Sequence, residues 1–157
     1  MTQYAKGEIM MTRNVNAIAR YILGYFSNLG QSISNLQLQK LLYFCWIAYF
    51  KKTGEPLFDE PFVAWPLGPV VESVYYDFCA YGGFPIFSSP SCLPEGVRKN
   101  IIDGCLNEYR GWSGYRLVEK SHRRGGAWDV VYNDKRRGKG AVIPPELIVH
   151  LECGQRG

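Results

Sequence analysis

The chain has 157 residues and a formal net charge of +4, with 46% hydrophobic, 15% aromatic and 20% charged residues. That length suits one domain able to bury roughly two-thirds of the surface its unfolded chain exposes, and the composition argues against long disorder. The five cysteines (Cys45, Cys79, Cys92, Cys105 and Cys153) are odd in number and widely spaced, with no C-x-x-C pair. They read as reduced, mostly buried thiols of a cytoplasmic protein. Only His122 and His150 are present to complete a metal site, so neither zinc nor another cofactor is expected.

Met1 to Met11 is a short mixed segment without the continuous apolar core of a signal peptide, and Met10 and Met11 offer a second start. Residues 1–14 read as a dispensable lead-in, 15–151 as one helical domain and 152–157 as a tail. Val15, Ile18, Ala19, Ile22, Leu23, Phe26 and Leu29 follow helical spacing, with Asn14 or Thr12 as cap and Gly30 just beyond.

The second helix, Ile33 to Lys52, is the centre of the chain. Ser34 with Gln37 makes a capping box, and Lys51, Lys52 and Gly54 mark the end. From Leu41 to Phe50 every side chain is apolar or aromatic, so other elements are expected to cover this helix on all sides, burying Leu41, Leu42, Phe44, Cys45, Ile47 and Ala48. Ten apolar residues closed by lysines at both ends are too few to span a membrane. Lys40, a cation on this apolar helix, is expected to snorkel to the surface or to pair with an acid such as Glu60 or Glu72.

Pro56, Pro61, Pro66 and Pro69 exclude helix from Gly54 to Pro69. Phe62 to Trp65 suits a short strand, Trp65-Pro-Leu-Gly-Pro69 a rigid corner, and Pro69 the first residue of a third helix carrying Val70, Val71, Val74, Tyr75 and Phe78 to a stop at Gly82-Gly83. Phe84 to Pro94 reads as a mobile surface loop. A fourth helix carries Val97, Ile101, Ile102, Cys105, Leu106 and Tyr109, and Ser113 caps a fifth that ends near Ser121. Trp128 to Tyr132 is either extended or irregular, and Pro144-Pro145 opens a last turn or two with Leu147, Ile148 and Leu151 inward. The fold class is mainly α: a compact helical domain around one buried central helix, with a minor short β element.

No phosphate loop, G-x-G-x-x-G, H-E-x-x-H or G-x-S-x-G occurs. A Cys/His nucleophile pair from Cys105 or Cys153 with His122 is formally available, but core thiol and capping imidazole are the simpler roles. Between Arg116 and Lys139 stand eight basic residues against three acidic ones, a net +5 that leaves the rest of the chain slightly acidic. Arg123, Arg124, Arg136 and Arg137 belong to this segment, which suits an acidic protein partner or, less readily, nucleic acid, since only Trp128 and Tyr132 interleave it for stacking.

Three stretches resemble the Panacea domain family, which includes the SocA-like antitoxins and the phage-associated protein GepA. They are Ile33 to Phe44, with Leu38, Lys40, Leu41, Leu42 and Phe44; Gly54 to Val71, with Trp65, Pro66, Gly68 and Pro69; and the looser Ser121-His122, Trp128 and Val142 to Ile148. Family members place a proline where this chain has Ala127. The resemblance implies a helical domain without catalytic activity that acts as an antitoxin on a toxin from the adjacent gene, in some members as an adaptor to a cytosolic protease. Prophage-borne members imply an alternative, inhibition of a host protein such as a defence nuclease. The motif residues, including His122 and Trp128, read as scaffold. The partner surface is expected at Trp65 to Pro69, including Leu67, at Phe84 to Pro94 and along the basic segment.

Overall fold

The computed structural model describes residues 13–137 and 139–154. The second start at Met10 or Met11, Thr12 as a cap and residues 155–157 of the expected tail lie outside them. Helix α1 (Val15–Asn28) begins where the Asn14 side chain accepts from the Asn16 and Ala17 amides. Its buried stripe, Val15, Ile18, Ala19, Ile22, Leu23 and Phe26, matches the helical spacing of the sequence, but Leu29, expected to extend it, lies at the C-cap and is exposed.

Helix α2 (Asn35–Thr53) starts at the Ser34–Gln37 capping box and ends at Gly54, whose φ of 76° lets its amide return to the Phe50 carbonyl. Around it pack α1, α3 (Glu72–Asp77), α4 (Lys99–Glu108), α5 (Gly114–Ser121), strand β2 (Gly68–Val70) and a terminal π-helical turn, Val149–Cys153. Leu38, Leu41, Leu42, Tyr43, Phe44, Cys45 and Trp46 are buried, and each fully buried aliphatic side chain contributes about 1.5–3 kcal/mol. Ile47 and Ala48 depart from expectation: they are only half-buried, because among the described residues no element closes over that side of the helix.

Strands β1 (Phe62–Trp65), β2 and β3 (Val142–Ile143) form an antiparallel sheet in the order β2-β1-β3. Trp65 pairs with Gly68 and Ala64 with Pro69, so Pro66 and Leu67 form a two-residue hairpin turn. Pro69 therefore does not open the third helix as the sequence suggested. It sits in the edge strand, where a missing N–H is tolerated, and α3 begins only at Glu72. A 3-10 turn, Cys79–Tyr81, carries the chain on to Gly82.

The segment after Gly83 is not a detached loop. Ile86 is buried and bridges to Ile33, its amide 2.7 Å from the Ile33 carbonyl, and the Ser88 amide donates to Ser27 Oγ. Gly24 of α1 makes room for this segment: a Cβ there would stand 2.8 Å from the Ser89 carbonyl and 2.9 Å from Pro90 Cα.

Ser113 caps α5 as the sequence indicated. Trp128 to Tyr132 belongs to helix α6 (Ala127–Tyr132), not to a strand or irregular loop. Pro144 leads into α7 (Pro145–Ile148), which runs on as the π-helical turn; Ile148 is buried, whereas Leu147 and Leu151 are half-buried. No helix among the described residues is long and apolar enough to cross a membrane.

Candidate functional site: the hairpin corner and its support

The first face of α2 to meet β2 is polar. Asn35 Nδ2 donates to the Tyr75 carbonyl at 3.0 Å, Gln39 Nε2 to Asn35 Oδ1 at 3.0 Å, and Gln39 Oε1 accepts the Val71 amide at 3.0 Å. Lys40 Nζ donates to the Pro69 carbonyl at 3.0 Å. These side chains are buried; Lys40 serves the Pro69 carbonyl on β2 and Gln39 the Val71 amide at the start of α3. The polar letters of the Leu-Gln-Lys-Leu-Leu motif thus serve as an edge cap for the sheet.

Lys40 corrects the sequence reading on both counts. It neither reaches the surface nor meets a carboxylate, being 0% exposed with Pro69 as its hydrogen-bond partner. Burial pushes its pKa down to about 7. Glu60 leaves Oε1 buried without a hydrogen-bond partner, and Glu72 is exposed at the start of α3.

Lys40 lies directly beneath the turn. Gly68 has φ 117°, and a Cβ there would meet Ser121 Oγ at 2.6 Å and Lys40 Cε at 2.8 Å, so only glycine fits. From the other side Trp128 Nε1 donates to the Trp65 carbonyl at 2.8 Å. His122 stacks on Trp128 with ring centroids 3.8 Å apart, and Trp128 on Tyr132 at 4.5 Å. His122 Nε2 is buried without a hydrogen-bond partner; desolvation first and the nearby Lys40 second hold the imidazole below its ordinary pKa. The structure thus brings Lys40, Gly68, Pro69, His122 and Trp128 into one support, with Leu38, Leu41, Leu42 and Phe44 in the core beside it.

What this support presents outward is apolar. Pro66 is exposed, Leu67 is 56% exposed, and half-buried Trp65 makes edge contacts with Tyr75 at 4.9 Å and Tyr76 at 6.3 Å, the latter 60% exposed. Phe84 and Phe87 are exposed on either side of buried Ile86. Of the two α3 tyrosines, the sequence places Tyr75 on the apolar stripe of the third helix and gives no role to Tyr76.

Several charges of the basic segment have partners within the chain. Arg123 donates to the Leu151 carbonyl and pairs with Glu152 at 3.1 Å, and Arg136 and Arg137 lie 3.8 and 3.7 Å from Asp134, whose pKa their amides and charges lower. Arg116 lies over Trp112, and Arg124 is exposed. Glu152, assigned to a tail by the sequence, also accepts from the Tyr43 hydroxyl and from the Ala127 amide at 2.9 Å. A proline at position 127 has no N–H to give, so this chain uses its departure from the family pattern to anchor its last turn.

The formal nucleophile pair is not assembled with Cys105. That thiol faces Cys45, whose pKa the contact and burial push well up, while Cys153 Sγ lies 3.9 Å from the Ile47 carbonyl. Among the described residues no cluster of three or more His, Cys, Asp or Glu could hold a metal ion.

Residues 38–92 match the family model described as Antitoxin SocA-like, Panacea domain. The chain is 33% identical over 138 residues to Antitoxin SocA of Caulobacter vibrioides (strain NA1000 / CB15N), an alignment spanning 76% of this chain and 71% of that protein. No solved structure matches it. The matched span runs from the core of α2 through the edge-capped hairpin to the segment pinned on α1, and by both matches the chain belongs to the SocA-like antitoxin family with a Panacea domain.

Proposed function

We propose that this protein is a non-catalytic antitoxin that neutralises a toxin, encoded by the adjacent gene, through a direct complex. The observation that carries the reading is the 33% identity to Antitoxin SocA across most of both chains. The geometry supports it: the motif residues Asn35, Gln39, Lys40 and Trp128 are engaged in internal hydrogen bonds, which suits a scaffold. Trp65, Leu67, Tyr76, Phe84 and Phe87 supply apolar surface for a partner, and Arg124 adds an exposed cation.

The test is to express the neighbouring gene with and without this one, scoring growth and co-purification. Growth arrest relieved by this protein, with a stable complex, is the expected result. A harmless neighbour with no complex would sink the reading and favour inhibition of a host protein. Following the toxin's half-life in the same cells separates blocking from delivery to a cytosolic protease. Purified protein alone is expected to turn over no phosphodiester, peptide or acyl substrate.

A further inference from the structure

Among the described residues one side of α2 is left uncovered. Phe44, Ile47, Ala48 and Lys51 recur at i, i+3, i+4 and i+7 on that helix, and beside them lies a cleft of about 300 Å³ walled by α4 and by the end of α5 with the terminal turn. Its floor is apolar: Phe44 stacks on Tyr109 at 5.1 Å, next to half-buried Ile47 and Ala48. Ile47 and Ala48 are half-buried apolar residues beside the buried run Leu38–Trp46 of the same helix, and they line this cleft.

The rim decides what fits. Arg123 and Glu152 neutralise each other at 3.1 Å. Lys120 Nζ stands 5.8 Å from the Phe44 ring centre and 5.9 Å from that of Tyr109, and neither Lys120 nor Lys51 forms an ion pair among the described residues. Glu108 on α4 is the opposing charge. Two ammonium groups outside any ion pair against one carboxylate, around an apolar floor, complement an anionic amphipathic segment. The volume lies at the low end for a binding pocket and accommodates one or two side chains, not a folded domain.

We infer that this cleft seats a short acidic segment of the protein partner, one bulky apolar side chain resting on Ile47 and Ala48 and an adjacent carboxylate reaching Lys120 or Lys51. The inference rests on the antitoxin reading for the partner's identity and on the cleft alone for its chemistry, so two measurements separate them.

The first uses the full chain and a defined probe, the tetrapeptide acetyl-Glu-Leu-Phe-Glu-amide, with acetyl-Lys-Leu-Phe-Lys-amide as charge-reversed control, followed by amide NMR shifts. The acidic peptide is expected to shift Ile47, Ala48 and Lys120 saturably and the basic one not. Lys51→Glu with Lys120→Glu should weaken binding at least tenfold, and Lys52→Glu, exposed in the same last turn, less than twofold. No saturable shift at these residues, or equal shifts with the basic peptide, would overturn the assignment. Ala48→Trp, which fills the cleft, should abolish binding; if it fails to fold, the two exposed lysines still carry the test.

The second measures the affinity of the complex with the adjacent gene's product. Tenfold weakening by the double lysine reversal supports the inference, and an unchanged affinity refutes it while leaving the antitoxin reading intact. If no complex forms but the acidic peptide binds, the antitoxin reading fails and the acidic-segment site stands.

Discussion

Lys40 places an amine in the core with no counter-charge, and its cost has a definite pH signature. Facing it are the Pro69 carbonyl, the backbone of Gly68, the Ser121 hydroxyl and the His122 imidazole, none of them anionic. The unfolded chain keeps this lysine protonated up to its ordinary 10.5, whereas the folded chain releases the proton near 7. Between those limits the unfolded state binds more protons, so stability rises with pH at up to about 1.4 kcal/mol per pH unit. The useful window is about pH 7 to 8.5, bounded above by the ordinary range of a thiol. Above it the raised thiol of Cys45 acts in the opposite sense, and below it His122 adds a loss of its own as pH falls through its ordinary 6.5. Urea midpoints measured across that window should climb for the native chain and stay level for Lys40→Met. A retained slope in the methionine variant would assign the effect to another group.

The hairpin is the element that α2, α5 and α6 support, and at Gly68 it touches Lys40 of α2 and Ser121 of α5. Alanine there takes on a left-handed φ and a Cβ pressed against Ser121 Oγ and Lys40 Cε, so Gly68→Ala should cost about 1–3 kcal/mol or more in chemical denaturation, the range typical of backbone strain. Adding Ser121→Ala removes one of the colliding atoms and should recover part of the loss; strict additivity would mean that the clash is relieved elsewhere. In α2, Leu42→Ala should cost about 2–5 kcal/mol, because Leu42 is 0% exposed at the heart of the core. These elements were unequally legible. The α2 caps and apolar run, the α1 stripe and the Ser113 cap are local signals, and their helices appear where the residues indicate, although Ile47, Ala48 and Leu29 are less covered than their positions suggest. The role of Pro69 and the helix at Trp128 depend on partners far along the chain: an edge strand whose carbonyl meets Lys40, and a helix whose first amide meets Glu152. Proline at a helix start and proline in an edge strand look alike until the sheet order is known. Gln39 was detectable in principle, as an amide set among Leu38, Leu41 and Leu42.

At the scale of the whole molecule, the concentration of positive charge that begins at Arg116 is best judged by what each charge already does. Arg116 covers Trp112, Lys120 leans over Phe44 and Tyr109, Arg123 holds the last turn through Glu152 and the Leu151 carbonyl, and Arg136 and Arg137 share Asp134. A surface that neutralised several phosphates would lose affinity steeply with salt, in proportion to the number of cations engaged. With Arg116, Arg123, Arg136 and Arg137 engaged within the chain, it should bind duplex or single-stranded DNA weakly at about 50 mM salt, with a shallow salt dependence, and Arg136→Glu with Arg137→Glu should change that binding little. Tight binding with a steep salt slope, lost on that double reversal, would instead make the segment a nucleic-acid site. The same reasoning separates the two kinds of partner in one titration: a protein complex resting on Leu67, Tyr76 and the apolar floor at Ile47 and Ala48 should survive salt that strips nucleic acid, because burial of apolar surface does not weaken as counterions accumulate.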